Sequence, residues 1–204
     1  MFDDDLAQSL VDRATTFQRA LVATLCLNRA VALTHDEWTD REVPGFRQLI
    51  DDSAEFCRAR AVGGPPRTDP DLLAARFREI LRPDDWPGDE PDGLAAWLMD
   101  VVSIADYVIR TWTEPDLSDS RCFNVLVASY SLAGMLNDDA VQTGARDLGE
   151  LEVTRQIADL RAVISLHNPI GVDQLDWLLA ESDALAEAYR RRFQDIVAKY
   201  GSER

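Results

Sequence analysis

The chain has 204 residues, enough for one ordinary domain with a sizeable core and no need of a disulfide or metal staple. Its hydrophobic fraction of 46% and charged fraction of 28% are those of a folded globular protein rather than a disordered one. The formal net charge of −16 disfavours any role that rests on neutralising phosphates, so nucleic acid and anionic membrane surfaces are not expected partners.

The N-terminal "MFDDDLAQ" lacks the basic and apolar regions of a signal peptide, and the longest uncharged run, Cys122 to Asn137, is too short and polar to span a bilayer. Cys26, Cys57 and Cys122 are odd in number, far apart and set in apolar stretches, as expected for reduced, buried thiols in a cytoplasmic protein.

In chain order, Asp3 to Asp5 favour a helix start, and Leu6, Leu10, Phe17, Leu21 and Leu25 keep helical spacing. No Gly or Pro intervenes, which predicts one long helix to about Leu33. Thr34 with Glu37 forms a capping-box pattern for a short second helix. Pro44-Gly45 breaks the chain, and Phe46, Leu49, Ile50, Ser53 and Cys57 mark the inner face of the next helix. After the loop "VGGPPRTDP", Asp69 and Pro70 are an N-cap and first-turn pair for a helix from Pro70 to Arg82. The acidic, proline-rich "PDDWPGDEPD" interrupts regular structure. Helices are then predicted at about Asp92 to Trp112, Ser118 to Leu136, Leu148 to Leu166 and Val172 to Tyr200. The whole, residues 1–204, reads as a single-domain all-α bundle of about seven or eight helices.

Two acids interrupt the apolar stretch "WLMDVVSIADYVIRTW". On a helical wheel, Trp97, Leu98, Val101, Val102, Ile104, Ala105, Val108 and Ile109 fill one arc. Asp100 and Asp106 stand at opposite margins of the polar strip, about 120° apart. They cannot grip one ion together. Arg110 is the natural partner of Asp106, four residues on, whereas no neighbour on the helix offers Asp100 a base. Asp100 is therefore either the wet edge of a packed helix or a binding group that finds its donor elsewhere.

No metal site is expected. The two histidines, His35 and His167, fall in turns without a second ligand at metal spacing, and the loop acids Asp84, Asp85, Asp89, Glu90 and Asp92 miss the EF-hand template. No phosphate-binding, nucleophile-elbow or zinc-protease motif occurs, so neither a catalytic residue nor a cofactor is identified.

The motif "ELEVTRQ" sets Glu150, Glu152 and Gln156 as E-x-E-x-x-x-Q, and the pair Glu152 and Gln156 can hydrogen-bond along a helix surface. With "ATLCLNRA" (Cys26, Arg29), "AAWLMDVV" (Asp100) and "QTGARD" (Gln142, Gly144, Arg146) in the same order, it resembles the YjaG-like family of bacterial all-helical proteins over about residues 15–166. That resemblance implies an all-α fold and carries no activity. Asp100, Glu150, Glu152 and Gln156 are the candidate binding residues.

The expected function is association, foremost with a second copy, because Trp97, Trp112, Trp177, Leu178 and Tyr200 suggest more apolar helix face than one core needs. Two alternatives stand beside it. One is a metal-dependent small-molecule enzyme in which Asp100 converges with Glu150 or Glu152. The other is an acidic partner of a basic protein, of the immunity or antitoxin kind.

Overall fold

The computed structural model describes residues 3–80, 94–138 and 147–200. Among them lie nine α-helices and no strand: α1 (Asp4–Arg13), α2 (Thr16–Val31), α3 (Glu37–Glu42), α4 (Phe46–Ala61), α5 (Pro70–Ile80), α6 (Leu94–Thr113), α7 (Ser118–Asp138), α8 (Leu148–Val163) and α9 (Val172–Tyr200). The fold is all-α, as the helical spacing predicts. The acids of "PDDWPGDEPD" and the residues Gln142, Gly144 and Arg146 lie outside the described residues.

The predicted long first helix is two helices. Thr15 breaks it through a capping box: its hydroxyl accepts from Gln18 N at 3.3 Å, and its own N–H donates to Gln18 Oε1 at 2.9 Å. The apolar spacing runs on across the break because Leu10 and Val11 face the same core as Leu21 and Leu25. Periodicity alone therefore conceals the joint.

The second cap is also displaced. Thr34 sits in a 3-10 turn with its hydroxyl donating to Val31 O at 2.8 Å, and Asp36 caps α3 instead, accepting from Trp38 N at 2.8 Å. A carboxylate immediately before the helix outcompetes a hydroxyl two residues further back. The break before α4 falls at Gly45, whose φ of +81° is a left-handed conformation that glycine adopts without strain. Asp69 and Asp147 cap α5 and α8 through Asp71 N at 2.8 Å and Glu150 N at 3.0 Å.

Helix α2 is the axle of the bundle. It packs against α4, α6, α7, α8 and α9, and every residue from Ala20 to Leu27 is buried. A helix surrounded on all sides has no polar stripe, which explains the unbroken run "ALVATLCL". All eight apolar residues predicted for the inner arc of α6 are buried. Phe193 of α9 receives Trp97 and Trp38 edge-on, at centroid distances of 6.1 Å each. Trp112 packs on Phe17 and donates its indole N–H to Thr24 Oγ1 at 3.0 Å.

This corrects part of the surplus expected on the surface. Trp97 and Leu178 serve the chain's own core and Trp112 is half-buried, which leaves Trp177 exposed; the side chain of Tyr200 is outside the described residues. The three cysteines are buried and unpaired, and burial pushes the thiols of Cys57 and Cys122 up to about 12. No described helix is long and apolar enough to cross a membrane.

Candidate functional site

Arg29 is the only charged residue between Arg19 and Asp36, and it lies fully buried on α2. An isolated guanidinium in such a place would cost several kcal/mol, so its surroundings must answer it. They do so completely. Nε and Nη2 make a two-pronged contact with Glu152 at 2.9 and 2.7 Å; Nη1 reaches Asp159 Oδ2 at 2.8 Å and Ser182 Oγ at 3.2 Å; Nη2 also meets Cys26 Sγ at 3.2 Å. All five N–H donors of the side chain are used.

The acceptors are equally occupied. Glu152 takes two further bonds, from Gln156 Nε2 at 2.9 Å and Tyr189 Oη at 2.8 Å, so that its four lone-pair positions are filled. Gln156 also donates to Leu126 O on α7 at 2.9 Å. Asp159 receives Arg155 through Nε and Nη2, both at 2.8 Å, and Arg155 extends to Glu181 at 3.3 Å. Two guanidiniums thus face the carboxylates of Glu152 and Asp159, and the buried charge balances.

The sequence builds this cluster from helical spacing. Glu152, Gln156 and Asp159 follow at steps of four and three on one face of α8, and Ser182 and Tyr189 stand seven apart on α9. Burial works against the Arg29 charge, but Glu152 and the other acceptors outweigh it and hold the guanidinium charged. Burial, then Glu152, push the Tyr189 phenol well above its usual range, so it stays a donor. The cluster ties α2, α8, α9 and α7 in one register. Its polar atoms face one another rather than a solvent-open cleft, as an internal clasp requires. Among the described residues, Ser129 Oγ alone is a buried side-chain polar atom without a partner.

The four candidate residues are not brought together. Glu152 and Gln156 do form the expected i, i+4 hydrogen bond, but at the centre of the bundle rather than on its surface, 0% and 2% exposed. The pairing was legible; its burial was not, because Arg29 lies 123 positions away. Glu150 is exposed at the start of α8. Asp100 lies half-buried on α6 with no hydrogen bond or ion pair among the described residues, and burial raises its carboxyl to about 6. Asp106 pairs with Arg110 at 2.8 Å, as its spacing predicts. His35 meets Asp51 at 3.1 Å. No group of three or more potential metal ligands stands together among the described residues.

No family model, curated protein or solved structure matches the chain, so the likeness to the YjaG-like family rests on the motifs quoted above.

The other feature that invites a function is on the outside of α9. Trp177 is 56% exposed, a rare position for so large an apolar side chain. At steps of three and four, Ala180 and Ala184 continue an exposed line that reaches Arg191, and Ala188 on the same line is half-buried. Asp173, Asp176, Glu181 and Asp183 precede Ala184, and Glu187, Arg190, Arg191, Arg192, Asp195 and Lys199 follow it, with Arg190 and Arg191 paired to Glu187.

Proposed function

We propose that the protein acts through association, with a second copy of itself as the partner, and that the outer line of α9 is the contact. The exposed Trp177 on a stripe of small residues carries this reading. Covering such a ring contributes about 2–3 kcal/mol per copy, and alanines beside it let two helices approach closely. The charge order along α9 is self-complementary. When two such helices lie antiparallel about a two-fold axis near Ala184, the four acids before it face the net basic segment after it in the other copy, with Glu181 opposite Glu187 as the unfavourable pair. Trp177 then faces Arg191 of the second copy, a cation–π arrangement.

Light scattering tests it. The wild-type chain is expected near twice 22.8 kDa at tens of micromolar, and Trp177→Glu near 22.8 kDa with an unchanged helical circular dichroism spectrum. A wild-type monomer at that concentration overturns the reading.

The charge of −16 favours a second reading, in which the same acidic face with Trp177 at its centre receives a basic protein. That complex would dissociate steeply with salt, and Trp177→Glu would weaken it while leaving the chain's own mass at 22.8 kDa throughout. For the metal-dependent alternative, the geometry offers little: Glu152 is already saturated by protein donors, and Asp100 and Glu150 stand apart from it.

A further inference from the structure

The start of α2, the ends of α4 and α6 and the turn at Asn168 enclose a groove of about 590 Å³, with no α9 residue among its described lining. That volume lies within the range of roughly 300–1,000 Å³ typical of small-molecule sites. Phe17, Phe56, Trp112 and Pro70 supply apolar walls, and the T-shaped pair of Phe17 and Trp112 presents a rigid aromatic floor. Trp112 is fixed by its bond to Thr24, so this surface is set in advance rather than assembled on binding.

Among the described residues, one charge lines the groove. Arg60, in the last turn of α4, is exposed and has no hydrogen bond or ion pair from its side chain among the described residues. No Asp or Glu is among the described lining residues. Of the acids next to lining residues, Glu114 is held by Arg110 at 3.6 Å and Arg121 at 3.1 Å, and Asp69 accepts from Asp71 N at 2.8 Å. In a chain with 37 acidic residues against 21 basic ones, a guanidinium beside an aromatic wall with no acid among its described lining residues is a local reversal of charge.

From this we infer that the groove binds a small amphipathic monocarboxylate, a flat apolar body carrying one carboxylate. The guanidinium of Arg60 takes the carboxylate through its fork, the Asn168 amide lies at the same rim, and the body lies on Phe17 and Trp112. A dicarboxylate or a polyphosphate fits less well, since the groove offers one cation inside a strongly acidic molecule.

The probe is 2-naphthoate, with the neutral 2-naphthamide of the same shape, titrated calorimetrically and by quenching of tryptophan fluorescence. Saturable binding of the acid is expected, with the amide at least about tenfold weaker, the factor a charge-assisted hydrogen bond confers. Arg60→Gln should erase that preference at an unchanged thermal midpoint, because the side chain is exposed and bonds to nothing described. Arg60→Lys should retain a part of it. Three results would overturn the inference: no saturable binding of naphthoate up to millimolar concentration, equal affinity for acid and amide, or a preference indifferent to Arg60→Gln. Because Trp177→Glu leaves this groove untouched, the outcome is independent of self-association through α9.

Discussion

Arg29→Met removes the hub of the internal clasp while filling much of its volume. Glu152 then loses two of its four hydrogen bonds and its only cationic partner, whereas Asp159 keeps the two-pronged contact with Arg155. Stranding a buried carboxylate in this way costs about 3–5 kcal/mol, a large share of the 5–15 kcal/mol typical of a domain. Glu152→Leu alone leaves Arg29 to share Asp159 with Arg155, one carboxylate for two guanidiniums, and the Gln156 amide and Tyr189 hydroxyl short of an acceptor, for a similar loss. In the double variant neither charge is stranded, so the combined loss falls short of the sum by about 3 kcal/mol. Urea unfolding followed by circular dichroism at pH 7.5 gives all four corners of the cycle. Additivity within about 0.5 kcal/mol would refute the assignment of the cluster as a coupled clasp.

Four further outcomes follow from individual contacts. Asp100 has a folded-state carboxyl raised from 3.8 to about 6, so its ionisation opposes folding: the penalty is absent below pH 4, grows between pH 4 and 6 and is complete above. The nominal cost of about 3 kcal/mol shrinks to about 1–2 because the group is partly solvated, and Asp100→Asn should therefore stabilise by that amount at pH 7.5 and by nothing at pH 4 in urea titrations. Gln18→Ala removes the capping-box reciprocal bond and two donations to Ile164 O and Leu166 O, both at 2.9 Å; a loss of about 2–3 kcal/mol is expected, and one below about 0.5 would show that water replaces the amide freely. The three thiols, buried with raised pKa values, should resist Ellman's reagent in the native protein and all react in guanidinium, so that rapid native labelling of any one contradicts its placement. At concentrations low enough for both chains to be monomeric, Trp177→Glu should leave the unfolding free energy from urea titration within about 0.5 kcal/mol of wild type, as for an exposed side chain that supports no core contact.

Local chemistry made much of this fold legible. The ends of α9 at Val172 and Tyr200, the start of α7 at Ser118 and the start of α8 at Leu148 are where caps, prolines and spacing place them. The wheel of α6 sorts its buried and polar residues correctly, including the Asp106–Arg110 pair. Where the reading failed, a local signal was outranked by one of the same kind. Thr15 with Gln18 is as plain a capping box as Thr34 with Glu37, yet the first is hidden in continuous apolar spacing and the second loses to Asp36.

The clasp was illegible for a different reason. Its signals, a lone Arg in "ALVATLCLNRAVAL" and acids spaced four and three on α8, are each visible in the chain. Searching for partners within one helix could not join them, since a buried charge is answered by tertiary packing rather than by its neighbours in sequence. A charged residue centred in an otherwise all-round apolar helix is the sign that would have pointed there. Trp97 and Leu178 show the converse: an apolar arc wider than one stripe signals a helix with several neighbours in its own bundle before it signals a second molecule.

Oxidative cross-linking of Ala184→Cys probes the proposed α9 contact most directly, because the native thiols are buried and residues near a two-fold axis meet their own counterparts. The expected product is a covalent species of twice 22.8 kDa formed within minutes, with none from Val172→Cys, which lies far from that axis. Persistence of the 22.8 kDa chain for Ala184→Cys under the same oxidation, or equal cross-linking of both variants, would contradict it.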